Sequence, residues 1–215
     1  MKKTYPNHIH PFRQGNLDRL CGIYGIINSI RWGLRNEKAL TRRQSRLLYV
    51  RLIQHLEDQE LLAAALEMGL CIPEISQLLH AAKGWLAERD ILLMHRKPFH
   101  TQKAIKVSTF VDCITEAVET PNTSVLMATV GRLDHWTSVI GVNNDRFMVF
   151  DSSRLKRIGT QTGDTLPILE TGKSIQFLST GLFILRFSLK TTSQPKKIAV
   201  FNKGVRKCKV VEKPV

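Results

Sequence analysis

The sequence predicts an α+β fold in which helices come first and an antiparallel sheet follows. Most of residues 20–119 place apolar side chains at helical spacing, whereas residues 123–187 break into short runs rich in β-branched and aromatic residues. This order segregates helices from strands and so favours α+β. The chain has 215 residues, 43% of them hydrophobic, which is enough for one sizeable core. We therefore expect one domain over residues 1–189.

The predicted helices begin after a loop-like segment, residues 1–19. Apolar residues from Leu20 to Leu34 recur at helical spacing and predict a buried central helix. Thr41, with Gln44 three residues on, has the pattern of a capping box. The further helices are predicted over 41–68 with a break near Asp58, over 73–89 opened by Pro73, and over 108–119 capped by Ser108.

The predicted strands follow a change of period near residue 123. Asn143-Asn144-Asp145 is turn chemistry between two of them and predicts a hairpin. The strands are predicted over 91–95, 123–131, 135–142, 146–151, 174–178 and 181–187.

The charge of the chain is concentrated at its end. Residues 190–215 carry eight Lys and Arg side chains against one Glu, which is half of the net charge of +14. We interpret this segment as a basic, flexible tail. Unpatterned basic residues attract phosphates weakly and in a salt-sensitive way, so a nucleic acid or an acidic protein is a possible minor partner.

The composition also indicates where the protein works. The N-terminus has no apolar stretch of the kind found in signal peptides, and no apolar run reaches the ~18 residues of a membrane span. The four cysteines form no C-x-x-C pair, which favours free thiols in a reducing compartment. We expect a cytoplasmic protein with no membrane span, no cofactor and no metal site; export without a cleavable signal is the alternative. Cys71 and Cys113 lie in apolar helical surroundings and are predicted to be core.

The hairpin brings an imidazole and a carboxylate together. If the strands turn near Asn143, His135 lies opposite Ser152 with Asp151 beside it. A carboxylate on one ring nitrogen fixes the tautomer and leaves the other nitrogen as a base. Because the neighbour depends on the turn type, Asp134, Ser152 and Ser153 remain alternatives to Asp151 as its partner.

Cys21 is the candidate nucleophile. It stands at the N-terminus of the predicted central helix, where the helix dipole favours a thiolate, and an adjacent imidazolium favours it further. Gln14, seven residues earlier, could donate to the oxyanion together with the Cys21 backbone N–H. Gly22 would let a substrate or another backbone come close, and Trp136 would either line the cleft or pack in the core.

These residues resemble the papain-like cysteine peptidases. The resemblance rests on Gln14, Leu20-Cys21-Gly22-Ile23-Tyr24, Asn28, Asp134-His135-Trp136 and Phe150-Asp151-Ser152, about a fifth of the chain. The bacteriocin-leader-processing (double-glycine) peptidases are similar in their Cys, His and Asp, and the Josephin-type deubiquitinases in the nucleophile helix. The resemblance implies a papain-like fold and a thiol hydrolase of peptide or isopeptide bonds, with a protein or peptide as substrate.

Two departures and two rival functions accompany the resemblance. Gln14 is a little further from Cys21 than is usual in the superfamily, so Asn16 is an alternative oxyanion donor. Ser152 stands where the leader peptidases commonly have proline. The same fold could pass its acyl group to an amine, as a transglutaminase or deamidase does. Alternatively, the chain could be a non-catalytic binding module that uses its basic tail.

Overall fold

The chain folds into helices packed on both faces of an antiparallel sheet, as seen in a computed structural model. The model describes residues 9–15, 18–101, 105–143, 146–160 and 175–190, and the backbone alone of residues 165–166. The helices of this part of the chain are α1 (Cys21–Gly33), α2 (Arg42–Asp58), α3 (Leu62–Met68), α4 (Ile72–Ala87) and α5 (Val107–Glu119). The predicted α+β class is confirmed.

The strands form one large sheet and one small one. They are β1 (Ile91–Arg96), β2 (Ile105–Lys106), β3 (Thr123–Gly131), β4 (His135–Asn143), β5 (Arg146–Phe150), β6 (Arg157–Gly159), β7 (Thr165–Leu166) and β8 (Ile175–Leu189). The six-stranded sheet has the order β1-β8-β3-β4-β5-β6 and is antiparallel throughout, while β2 pairs with β7.

The large sheet is buried on both faces, which explains the long apolar run of β3. Successive strand residues point to opposite faces. Leu126 and Ala128 pack with α1, α2 and α4 in one cluster, whereas Val125 and Met127 pack with α5 in another. The sheet is therefore the middle layer of three, with the N-terminal helices on one side and α5 on the other.

Several local predictions are confirmed. The Thr41 hydroxyl accepts from the Gln44 N–H at 3.1 Å while the Gln44 side chain accepts from the Thr41 N–H at 2.9 Å, the reciprocal pair of a capping box. The predicted break near Asp58 is the short connection between α2 and α3, where Glu60 adopts a left-handed conformation (φ 59°).

Other local predictions are wrong. Helix α5 begins at Val107 with Lys106 as its N-cap, so Ser108 lies inside the helix and caps nothing. The two strands predicted over 174–178 and 181–187 are the single strand β8, whose pairing with β3 shifts register between Met127 and Thr129. The shift accommodates residues 178–181, which span the gap between the two predicted strands.

Lys190, the first residue of the predicted tail, is hydrogen-bonded to the connection between α4 and β1. Its N–H donates to the Asp90 carbonyl at 2.8 Å and its ammonium to the Ala87 carbonyl at 3.1 Å. Residues 191–215, which include Cys208, lie outside the described residues. Among the helices of the described ranges, none has the length and apolar character needed to cross a membrane.

Candidate active site

Helix α1 presents Cys21 at its first turn. Cys21 is the first residue of the helix, and the preceding Leu20 offers no side chain to the exposed N–H groups. The thiol therefore lies at the positive end of the helix dipole, beside backbone N–H groups that have no partner within the helix. Only 9% of Cys21 is exposed. The site can thus stabilise negative charge on sulfur, or on an oxygen bound next to it.

A close approach of α1 to β4 brings Cys21 to the start of that strand. At Gly25, one turn into the helix, a Cβ atom would lie 2.9 Å from Leu126 Cδ1 and 3.3 Å from the Trp136 carbonyl oxygen. The Leu126 side chain could move away from such a Cβ, but the Trp136 backbone would have to shift by a few tenths of an ångström. Glycine therefore favours the observed spacing, and because Trp136 follows His135, the packing at Gly25 contributes to the distance between the Cys21 thiol and the imidazole.

His135 and Asp151 form a buried ion pair. His135 begins β4 and Asp151 follows β5, and they are 6% and 1% exposed. The Nε2 atom of His135 lies 2.6 Å from Oδ2 of Asp151. A carboxylate only accepts, so Nε2 carries the hydrogen and Nδ1 is left to face the thiol. The Ser153 N–H donates to the other carboxylate oxygen at 2.7 Å and fixes its orientation.

The Cys21 thiol lies close enough to this pair to affect the pKa of His135. Burial by itself lowers the pKa of His135, but hydrogen bonds to Asp151 and to Cys21, together with their charge, raise it to about 9. Burial by itself raises the pKa of Asp151, but the hydrogen bond and charge of His135 outweigh it and hold that pKa below its ordinary value. The Thr137 hydroxyl adds to this lowering, although it is not aligned for a good hydrogen bond. Below about pH 9 the site therefore favours an imidazolium beside an ionised carboxylate.

Gln14 lies in the segment that closes the other side of the site. Its backbone N–H donates to the Ser152 carbonyl at 3.3 Å, and its side-chain amide donates to the Asp18 carbonyl. An amide carries two N–H donors, so one remains for a ligand in the cleft that Gln14 and Cys21 line. Asn16, the alternative oxyanion donor, lies outside the described residues.

Asn28 anchors this segment and was not predicted to have a role. Its amide oxygen accepts from the Phe12 N–H at 2.8 Å and its amide nitrogen donates to the Phe12 carbonyl at 3.1 Å. Arg31 adds a hydrogen bond to the His10 carbonyl and lies over the Phe12 ring. The sequence signal was an asparagine within an apolar helix, where a buried amide must find partners.

A cleft of about 980 Å³ opens above the thiol. One wall is lined by residues 13–15 and 152–154. The other is lined by residues 68–73, which run from the end of α3 to the start of α4. The second wall is tied to the sheet because the Trp136 indole N–H donates to the Leu70 carbonyl at 2.7 Å.

The remaining predicted site residues have distinct positions. Trp136 both lines the cleft and packs in the core, at 5% exposure. Gly22 faces away from the cleft lining, since a Cβ there would lie 2.6 Å from Ile75 Cδ1, so its small size serves packing against α4. Asp134 lines the cleft but its carboxylate accepts from the Gly131 N–H at 3.0 Å, not from His135. Of the alternative partners of His135, Ser152 and Ser153 lie beside Asp151 and do not replace it.

Cys71 was predicted to be core, and this is wrong. It is exposed, lines the same cleft as Cys21, and is the N-cap of α4. Its thiol and its backbone N–H both bind the Glu74 carboxylate. Partial burial and this carboxylate raise the pKa of Cys71, so its thiolate is disfavoured. Cys113 is buried as predicted.

Within the described ranges, no group of three His, Cys, Asp or Glu side chains is placed to hold a metal ion. Comparisons of the chain with protein-family models, with curated proteins and with solved structures found no match.

Proposed function

We propose that the protein is a papain-like thiol hydrolase that cleaves a peptide or isopeptide bond through Cys21, His135 and Asp151. The observation that carries the proposal is the Cys21 thiol beside the hydrogen-bonded His135–Asp151 pair, in an open cleft that Cys21 and His135 line. A thiol, a base and an orienting acid in this order are what acyl transfer through a covalent intermediate requires.

The first half-reaction forms an acyl-enzyme. The Cys21 sulfur attacks the carbonyl carbon while its proton resides on His135. The negative charge that develops on the carbonyl oxygen is stabilised by the Cys21 N–H and the second amide hydrogen of Gln14. The C–N bond then breaks, the amine leaves with the proton of the imidazolium, and a thioester remains on Cys21.

The second half-reaction releases the acid. Water attacks the thioester carbonyl and gives a proton to His135, which Asp151 holds in the required tautomer. The C–S bond breaks and the thiolate returns, so that bonds and protons balance over the cycle. If an amine replaces water as the acyl acceptor, the product is a cross-linked or exchanged amide, and the mass of the product identifies which acceptor is used.

A peptide-derived thiol-reactive probe tests the proposal. Cys71 on the same cleft is exposed whereas Cys21 is 9% exposed, so accessibility alone predicts modification of Cys71. Activation by His135 predicts the reverse. We expect site-resolved mass spectrometry at near-neutral pH to find the probe on Cys21.

Two histidine variants, one in the site and one outside it, test whether His135 activates Cys21. His135→Ala should reduce modification of Cys21 by about 10² or more, because the base is lost. His100→Ala removes an exposed histidine outside the cleft lining and should leave the rate unchanged. Equal modification of Cys21 in the wild type and in His135→Ala would refute the proposed dyad.

A further inference from the structure

The cleft carries positive charge that the described part of the chain leaves uncompensated. Arg13, Arg19 and Arg154 are exposed and line it. Asp134 is the acidic residue among the lining residues, and the Gly131 N–H already binds its carboxylate. A cleft lined by one sign of charge concentrates ligands of the opposite sign.

These arginines differ from others in the described ranges. Arg31, Arg35 and Arg89 each stack on an aromatic ring and donate to a backbone carbonyl. Arg13, Arg19 and Arg154 make no ion pair with any described carboxylate. Their guanidinium groups are therefore free to bind a ligand.

The arginines also stand on both sides of Cys21. The Gln14–Ser152 hydrogen bond joins the segments that carry Arg13 and Arg154 into one wall. Arg19 precedes α1 and lies against the opposite loop, where a Cβ on Gly69 would be 3.5 Å from the Arg19 carbonyl oxygen. A polypeptide over the thiol would pass between these positive groups.

A second observation concerns the wall of Arg13 and Arg154. Ser152 lines the cleft and is 3% exposed, and its buried hydroxyl has no hydrogen-bond partner within the described residues. A buried hydroxyl without a partner is uncommon, and a carboxylate oxygen would accept from it. The opposite wall offers apolar contacts instead, from Met68, Leu70 and Ile72.

We propose that the cleft selects polypeptides with an acidic side chain close to the scissile bond, bound by Arg13 and Arg154, and an apolar side chain against the Met68–Ile72 wall. This inference rests on the proposed function and names its substrate class. Arginine binds carboxylates through two parallel N–H donors, which gives it geometric as well as electrostatic preference for Asp and Glu.

Three probes of one scaffold test the proposal on the full chain carrying Cys71→Ser. They are peptides with an amidated C-terminus that carry the same thiol-reactive group. They differ only in the residue beside that group, which is Glu, Gln or Lys. The measurement is the second-order rate of Cys21 modification at low and high salt. We expect the Glu probe to react at least about fivefold faster than the Gln probe at low salt, the Lys probe to be slowest, and the differences to shrink at high salt.

Variants locate the effect in the cleft. In Arg13→Gln/Arg154→Gln the Glu probe should react as slowly as the Gln probe, whereas Arg46→Gln, an exposed arginine of α2, should keep the preference. Equal rates for Glu and Gln at low salt would overturn the proposal, as would an equal loss in Arg46→Gln. A Gln probe with a free C-terminal carboxylate that matches the Glu probe would also overturn it, since the terminus would then be the group bound. If iodoacetamide modifies Cys21 but none of the probes does, the proposed function fails as well.

Discussion

His135 and Asp151 share a face of the sheet because β4 carries one extra residue, Ile140. Val142 pairs with Phe147 and Gly141 with Met148, but Val139 then pairs with Val149, which leaves Ile140 unpaired in a β-bulge. Continued to the strand ends, the shifted register sets Asp151 opposite Thr137, on the face of His135. Without the bulge the alternation of side chains would point Asp151 away from the imidazole.

The pH dependence of amide turnover should follow this pair. Because the pKa of His135 is raised to about 9, the imidazolium that protonates the leaving amine persists at neutral pH and is lost as the pH rises through about 9. We expect kcat/KM for a peptide amide to fall above about pH 9. A flat profile between pH 8 and pH 10.5 would contradict the assigned role of His135.

In Asp151→Asn the fall of kcat/KM at alkaline pH, the alkaline limb of the profile, should move to lower pH. The substitution removes the charge of Asp151 and weakens its hydrogen bond, which leaves Cys21 to oppose the effect of burial, so the pKa of His135 should fall. It also permits the wrong tautomer, and kcat should fall by about 10²–10⁴. The control is Asp134→Asn, which changes an exposed cleft carboxylate and should keep the limb near pH 9.

The free energy of unfolding should also depend on pH through His135. A raised histidine pKa means that the folded state holds the proton more tightly than the unfolded chain does. The resulting stabilisation is fully present below about pH 6.5 and is lost as the pH rises through about 9. We expect urea unfolding to show a loss on the order of 2 kcal/mol over this window. In His135→Gln the loss should be absent, and in His100→Gln it should persist.

Gln14→Ala tests the oxyanion donor. If the second amide hydrogen of Gln14 stabilises the oxyanion, amide turnover should fall by about 10²–10³. Alkylation of Cys21 by iodoacetamide forms no oxyanion and should change little. Asn16→Ala is the comparison, and a larger turnover loss in Asn16→Ala than in Gln14→Ala would move the donor role to Asn16.

Asn28→Ala tests the anchor of the N-terminal segment. It removes both hydrogen bonds to Phe12, and the unfolding free energy should fall by about 1–3 kcal/mol. Turnover should fall with it, because Gln14 is held by the same segment, while the pH of the alkaline limb should stay near 9. A shift of that limb would show that Asn28 acts on His135 rather than on the segment.

The sequence predicts what local chemistry dictates. The Thr41–Gln44 capping box, the helical spacing of α1 and the antiparallel pairing of β4 with β5 are each encoded within a few residues, and each is present. The hairpin also indicated that an imidazole and a carboxylate would meet near residues 135 and 151.

What the sequence left unpredicted depends on contacts between distant segments. The predicted pairing of His135 with Ser152 was wrong by two positions at the turn, since Asn143 pairs with Arg146. The bulge at Ile140, which has no signature within an apolar run, reduces that error to one position at His135. The exposure of Cys71 follows from the position of the α3–α4 loop, which Trp136 fixes through Leu70. The role of Asn28 likewise requires Phe12, sixteen residues earlier in the chain.

The central claim is that Cys21 carries an acyl group during turnover, and trapping that thioester tests it most directly. An activated peptide ester mixed with the protein and quenched in acid should add the acyl mass to Cys21, in a form that hydroxylamine removes. The adduct should be absent in Cys21→Ser and at least about 10²-fold slower to form in His135→Ala. An adduct on Cys71 instead, or equal acylation of Cys21 in wild type and folded His135→Ala, would contradict the account.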